Sequence, residues 1–203
     1  MNNNPIDIVL PWVDEKDTIW EAERKKWASK SGQGSFESSN VRFQCWDNLN
    51  LWFRAIEECM PWINKIFLIT FGHIPSFLNT EHVKLRIVRH EEYIPYEYRP
   101  TFNSNTIEMN IHRIKDLSEN FILFSDDVFP LTYIDEEYYF KDNMVCDEAV
   151  ENIITTSSFG AVSNATRYAQ VNNMFIINKN FKKREVQAKN PEKWFCESSG
   201  DRL

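Results

Sequence analysis

No stretch of the 203-residue chain is apolar for long enough to cross a membrane, and its first residues show no signal-peptide pattern. The expectation is a cytoplasmic protein that reaches a membrane surface only through partners. The four cysteines, Cys45, Cys59, Cys146 and Cys196, have neither CxxC nor zinc-finger spacing, so they read as free thiols in a reducing compartment. Positive charge is also short: 23 Lys and Arg stand against 30 Asp and Glu, a formal net charge of −7. That balance excludes nonspecific nucleic-acid binding and predicts no nucleic-acid partner. An acidic protein that takes a pyrophosphate ligand needs a metal ion or a local arginine cluster to offset the repulsion. No internal repeat, low-complexity tract or clean domain boundary is visible, which predicts a single domain over 1–203.

What is present is a packed globular composition, 42% hydrophobic and 14% aromatic. Its organising stretch runs from Thr101 to Asp127. Phe121 to Phe124 is a continuous apolar run, suited to a central strand covered on both faces. Asp126 and Asp127 then stand where that strand stops. Ligands in open α/β sheets bind at the carboxyl ends of strands, and paired hard oxygens there suit Mg²⁺ or Mn²⁺ with a phosphorylated substrate. An isolated Asp-Asp pair would read as a solvated turn; the surrounding residues favour the metal.

The helix before it is expected to begin with Asn105 as N-cap. Ile107, Ile111 and Ile114 form one apolar stripe, with Glu108 and His112 at i, i+4 beside Arg113. Locally, Glu108 reads equally as a capping-box residue or a catalytic carboxylate. Arg113 reads also as a solvated charge, and His112 as a structural histidine.

Earlier in the chain, Ile6 to Val13 predicts the first strand, closed by a turn bearing Asp14 and Asp17, which also read as ordinary helix-start acids. Ile19 to Trp27 and Asp47 to Met60 predict helices, the second ended by Pro61, and Lys30 to Asn40 a mobile Gly/Ser-rich loop. Lys65 to Phe71 and Leu85 to Val88 predict two more strands. Tyr138 to Phe140 predicts a short helix, Met174 to Ile177 a late strand and Phe181 to Ala188 a basic helix. The alternation implies an α/β fold with a mostly parallel sheet and flanking helices.

These segments carry a resemblance. IDIVLPWVDEKDTIW (6–20) resembles the first conserved region of the Stealth family of sugar-1-phosphate transferases. Residues 42–127, with MPWINKIFLIT, HIPSFLNT, YRPTFNSNTIEMNIHRI and LSENFILFSDDVF, resemble the second. That family includes bacterial capsular polysaccharide phosphotransferases and the catalytic subunit of N-acetylglucosamine-1-phosphotransferase. The resemblance implies a GT-A/Rossmann-like nucleotide-sugar-binding core and a divalent metal at Asp126 and Asp127. It implies a UDP-sugar donor, a capsular or cell-surface glycan acceptor, release of UMP, and peripheral association with membrane-bound capsule machinery at the inner face of the membrane.

It further implies Asp14, Glu108 and Asp127 as catalytic residues, and Asp17, Arg42, Asn103, His112 and Arg113 as substrate-binding ones. Two departures stand out: Glu15 where the family commonly has Gly, and Cys45 where an aspartate is expected. Residues 128–203 read as a variable region. The family's third and fourth regions, which bring a histidine and an arginine, are expected further downstream, so the chain is expected to be an N-terminal portion, inactive alone. The competing readings are a metal-dependent glycosyltransferase that releases UDP and a noncatalytic remnant.

Overall fold

The computed structural model describes residues 4–31, 43, 45–142 and 144–146, together with 172, 173, 175, 176, 179 and 180. The chain forms two compact units, 1–144 and 145–203. In the first, β1 (Ile6–Pro11), β2 (Ile66–Thr70), β3 (Leu85–Arg89) and β4 (Asn120–Leu123) form one sheet in the order β3-β2-β1-β4. Every pairing is parallel: Ile8 lies opposite Ile66 and Ile122, and Leu68 opposite Ile87. Helices α1 (Thr18–Ser31) and α2 (Leu49–Cys59) lie between β1 and β2 in sequence. The expected α/β architecture with a parallel sheet is what the chain adopts.

The two-residue period of a strand splits the core into two layers. Ile6, Ile8 and Leu10 of β1 and Leu68 of β2 join Leu49, Trp52 and Ile56 of α2 on one face. Val9, Phe67 and Ile69 meet Val88, Tyr93, Ile111 and Ile114 on the other. Because β1 is buried on both faces, its apolar run is unbroken except for Asp7. That carboxylate is fully buried and satisfied, accepting from Asn64 Nδ2 at 2.7 Å and from the Ser118 N–H at 2.8 Å.

Several expectations need correction. The run ending in the Asp126–Asp127 pair is not the central strand. Among the described residues β4 has a neighbour only in β1, so its side chains are half-covered and Leu123 is 44% exposed. The central positions belong to β1 and β2. The helix before β4 is capped by Asn103, whose side chain accepts from the Asn105 N–H at 2.9 Å, and not by Asn105.

That helix, α4 (Ser104–Met109), follows the short α3 (His90–Tyr93) in the chain and breaks at Asn110. There the Asn110 side chain donates to the Thr106 carbonyl at 2.8 Å, taking the acceptor the next helical N–H would use. A 3₁₀ turn, Ile111–Arg113, follows. Ile107, Ile111 and Ile114 still pack into the second core layer, but Glu108 and His112 no longer share a continuous helix face.

The expected helix at Tyr138–Phe140 is a 3₁₀ turn over Glu136–Tyr138, with Phe140 passing into the short β5 (Phe140–Lys141), which pairs with β6 (Met144–Val145). In the second unit Phe175 and Ile176 are helical, not a strand, and Asn180 Nδ2 donates to the Ile176 carbonyl at 2.8 Å. A short apolar run does not distinguish the two states by periodicity. The segment 181–188, residues 32–40 of the expected loop and nearly all of 146–169 lie outside the described residues. Cys45 and Cys59 are free thiols, as expected.

Candidate functional site

Parallel pairing brings the carboxyl ends of all four strands to one edge of the sheet. The chain leaving β1 carries Trp12, Asp14 and Asp17. The chain leaving β2 carries Phe71, Gly72 and His73, and β3 is followed directly by His90. Ser125, Asp126 and Asp127 follow β4. The last ladder bonds are Trp12 N–H to the Ile69 carbonyl and Phe124 N–H to the Val9 carbonyl, both 2.9 Å. Asp14 and Asp127 therefore follow adjacent strands at the same edge.

The β1–α1 turn is held by a series of hydrogen bonds. The Asp14 N–H donates to His73 Nε2 at 2.9 Å, and Asp14 Oδ1 accepts from the Lys16 N–H at 2.9 Å. Asp17 Oδ1 accepts from the Trp20 N–H at 2.6 Å, the geometry of an N-cap on α1. Lys16 Nζ reaches the Asp47 carboxylate at 2.7 Å, and that bond and charge raise the lysine pKa in a fully exposed pair.

Aromatic rings tie the strand ends together. Trp12 meets His73 edge-on at 5.0 Å, Phe71 meets His90 at 5.9 Å and stacks on Phe102 at 5.6 Å, and Phe102 meets Trp20 of α1 at 6.0 Å. Gly72 permits the sharp exit from β2: its φ of +137° is one that side-chain-bearing residues rarely adopt.

The electrostatics of this edge follow from burial. Desolvation lowers the His73 pKa, against the opposing charges of Asp17 and Asp14, and lowers that of His90 to about 4, helped by the neighbouring His73. Both rings are thus neutral at pH 7. The half-buried Asp126 has its carboxyl pKa raised by desolvation and, less, by the charge of Asp127. Asp127 is exposed, and its Oδ1 accepts from the Ser125 hydroxyl.

The residues expected at the site do not all gather by direct contact. Asn103 is occupied as the cap of α4, and Glu108 lies exposed on that helix, which touches β1. His112 and Arg113 are exposed on the following 3₁₀ turn. Among the described residues no hydrogen bond or ion pair joins the side chains of Glu108, His112 or Arg113 to Asp14, Asp126 or Asp127. Arg42 lies outside the described residues. His73 and His90 were not anticipated. Their signal was available, because each follows the end of a predicted strand, the same positional rule that singled out the aspartates.

Among the described residues no group of three or more His, Cys, Asp or Glu side chains is arranged as a metal centre. The Asp126–Asp127 pair nonetheless fits a hard divalent cation. Such an ion often uses one or two carboxylates and completes its shell with water and substrate phosphates, and a cation there would offset the desolvation and mutual repulsion that raise the Asp126 pKa.

Comparison with known proteins places this edge in a family. Residues 42–147 match Stealth protein CR2, conserved region 2. The capsular polysaccharide phosphotransferase WcwK of Streptococcus pneumoniae is 41% identical over 193 residues, covering 95% of this chain and 56% of the relative. The capsular polysaccharide phosphotransferase CpsJ of Streptococcus thermophilus is 36% identical over 192 residues, 94% of this chain and 78% of the relative. The receptor polysaccharide phosphotransferase WefC of Streptococcus oralis is 34% identical over 190 residues, 90% of this chain and 54% of the relative. The chain thus spans a little over half the length of the pneumococcal and oral relatives. Matched across the conserved region and related along most of its length to these proteins, the chain belongs to the Stealth family.

Proposed function

We propose that this protein serves in the transfer of a hexose- or hexosamine-1-phosphate from a UDP-sugar to a hydroxyl of a capsular or cell-surface glycan, with release of UMP. One observation carries the reading: carboxylates follow adjacent parallel strands at one sheet edge in a chain whose relatives are named polysaccharide phosphotransferases. In the proposed reaction the acceptor oxygen forms a bond to the sugar-bearing phosphorus. The bond from that phosphorus to the bridging oxygen breaks, and UMP leaves with that oxygen.

Phosphoryl transfer is mainly positioning and charge neutralisation. Asp126 and Asp127 would hold Mg²⁺ or Mn²⁺, which supplies charge neutralisation of the diphosphate. One carboxylate among Asp14, Glu108 and Asp127 takes the proton of the acceptor hydroxyl. Arg113, with its planar fork, suits bidentate contact with a phosphate oxygen pair, and His112, Asp17, Asn103 and Arg42 complete the substrate set. The proposed setting is the cytoplasmic side of the membrane, beside capsule-assembly machinery. Incubation with UDP-N-acetylglucosamine and a capsule-type acceptor tests the reaction: UMP as product supports it, and UDP would instead identify an ordinary glycosyltransferase.

A further inference from the structure

The Asp14 main chain is held by a side chain from another strand, where a backbone carbonyl would ordinarily serve. The β1–β2 ladder ends at the bond from Trp12 to Ile69, and two residues later the Asp14 N–H donates to His73 Nε2 at 2.9 Å. We propose that His73 is a positioning residue: its Nε2 lone pair extends the β1–β2 tie past the end of the sheet and fixes the turn that presents Asp14 to the cleft. The proposal rests on the reading of Asp14 as a carboxylate of the transfer site.

The hydrogen-bond geometry dictates the tautomer. An amide N–H can only donate, so Nε2 must carry the lone pair and the ring proton must sit on Nδ1. Nδ1 is buried and, among the described residues, makes no hydrogen bond of ordinary geometry, while the nearby Trp12 main chain favours a proton on the ring. The tautomer is therefore selected by Asp14, and a ligand cannot reach Nδ1 in this arrangement.

The groups facing the ring are Asp14 and Asp17 on the β1–α1 turn and His90 after β3, with Trp12 edge-on at 5.0 Å to restrict its rotation. Burial outweighs the two carboxylates, which keeps the ring neutral and able to accept at pH 7. From Asp14 the orientation is handed on: the Asp14 carbonyl accepts from the Asp17 N–H at 3.1 Å, and Asp17 caps α1. One imidazole thereby fixes both acids of the turn.

Two substitutions in the full chain separate positioning from packing. His73→Gln keeps an acceptor oxygen near the Nε2 position, whereas His73→Phe keeps a ring but offers no acceptor. Long-range ¹⁵N NMR of the unsubstituted protein should show His73 as the Nδ1–H tautomer. His73→Phe should speed amide exchange at Asp14 on the order of tenfold and weaken UDP-N-acetylglucosamine binding by a similar factor. His73→Gln should restore both to within about twofold.

An Nε2–H tautomer would overturn the proposal, as would unchanged Asp14 exchange in His73→Phe or equal damage in both variants. The tautomer needs no variant, so a misfolded His73→Phe leaves that arm decisive. Failure of the unsubstituted protein to bind UDP-N-acetylglucosamine would count against the function proposed above. The tautomer and the exchange pattern would still support positioning.

Discussion

At the residue scale, the buried histidines carry a measurable pH dependence. His90 is pushed to about 4 by burial and by His73, while an unfolded chain titrates it near 6.5. Its folded pKa is depressed, so below about 6.5 the unfolded state binds the extra proton and gains relative to the fold. Stability is fully present above that pH and is lost as pH falls toward 4, by up to roughly 3 kcal/mol for this one group. Thermal midpoints measured between pH 7.5 and 4.5 should fall more steeply in the unsubstituted protein than in His90→Gln. Parallel curves would show that His90 does not titrate as its burial requires.

The same residues mark what the sequence could and could not convey. Asp14, Asp126 and Asp127 were readable because they follow apolar runs, and a parallel sheet sends such positions to one edge. His73 and His90 obeyed the same rule. What distinguishes them is burial, and that comes from Trp12, Phe71 and Phe102, which meet only once the chain is folded.

At the scale of elements, β1, β2, β3 and α2 were legible to within a few residues, since each combines an apolar pattern with a clear stop. The order of the strands was not. An unbroken apolar run predicts burial on two faces, which β1 has; in β4 Phe121 and Ile122 are only half-covered and Leu123 is exposed, and burial returns at Phe124 just past the strand. The break of α4 at Asn110 escaped because the isoleucine spacing fits a helix and a helix-plus-3₁₀ turn equally well.

What fastens the loop after β4 is α2 and the turn that follows it: Trp52 Nε1 of α2 donates to the Val128 carbonyl at 3.0 Å, and Trp62 Nε1 of the turn to the Ile134 carbonyl at 2.6 Å. Trp52 is wholly buried and meets Phe124 edge-on. Trp52→Phe should cost about 1–3 kcal/mol through the lost volume and the unpaired Val128 carbonyl. Chemical denaturation reads that loss directly, and a midpoint unchanged at constant slope would refute it.

Gly72 supplies a second element-scale prediction. A Cβ placed there meets nothing within 4 Å, so Gly72→Ala carries no clash; its cost is the φ of +137° alone. That strain is of order 1–3 kcal/mol. Relaxation would turn the exit of β2, and with it His73. Stability and Asp14 amide exchange should therefore both suffer, whereas a purely packing effect would change stability without touching Asp14.

At the scale of the whole molecule, charge decides how a nucleotide sugar is held. The protein carries a formal −7, and the β4 edge presents two adjacent carboxylates. Two like charges 4 Å apart at an effective dielectric constant of 20 repel by about 4 kcal/mol, while a micromolar ligand binds with only about 8 kcal/mol. Repulsion of that size consumes about half of the affinity unless a cation intervenes.

Mg²⁺ or Mn²⁺ should therefore tighten UDP-N-acetylglucosamine binding by at least about tenfold over a chelated sample. In Asp127→Ala the metal effect should shrink or vanish. The fold should be unchanged, because this side chain is exposed and its bond among the described residues is to the neighbouring Ser125 hydroxyl. Calorimetry on the four combinations separates the terms. If chelation leaves the affinity of the unsubstituted protein unchanged, the cation has no part in donor binding, and the arginine fork must offset the diphosphate alone. A metal effect that persists in Asp127→Ala would move the cation away from the end of β4, toward the carboxylates that follow β1.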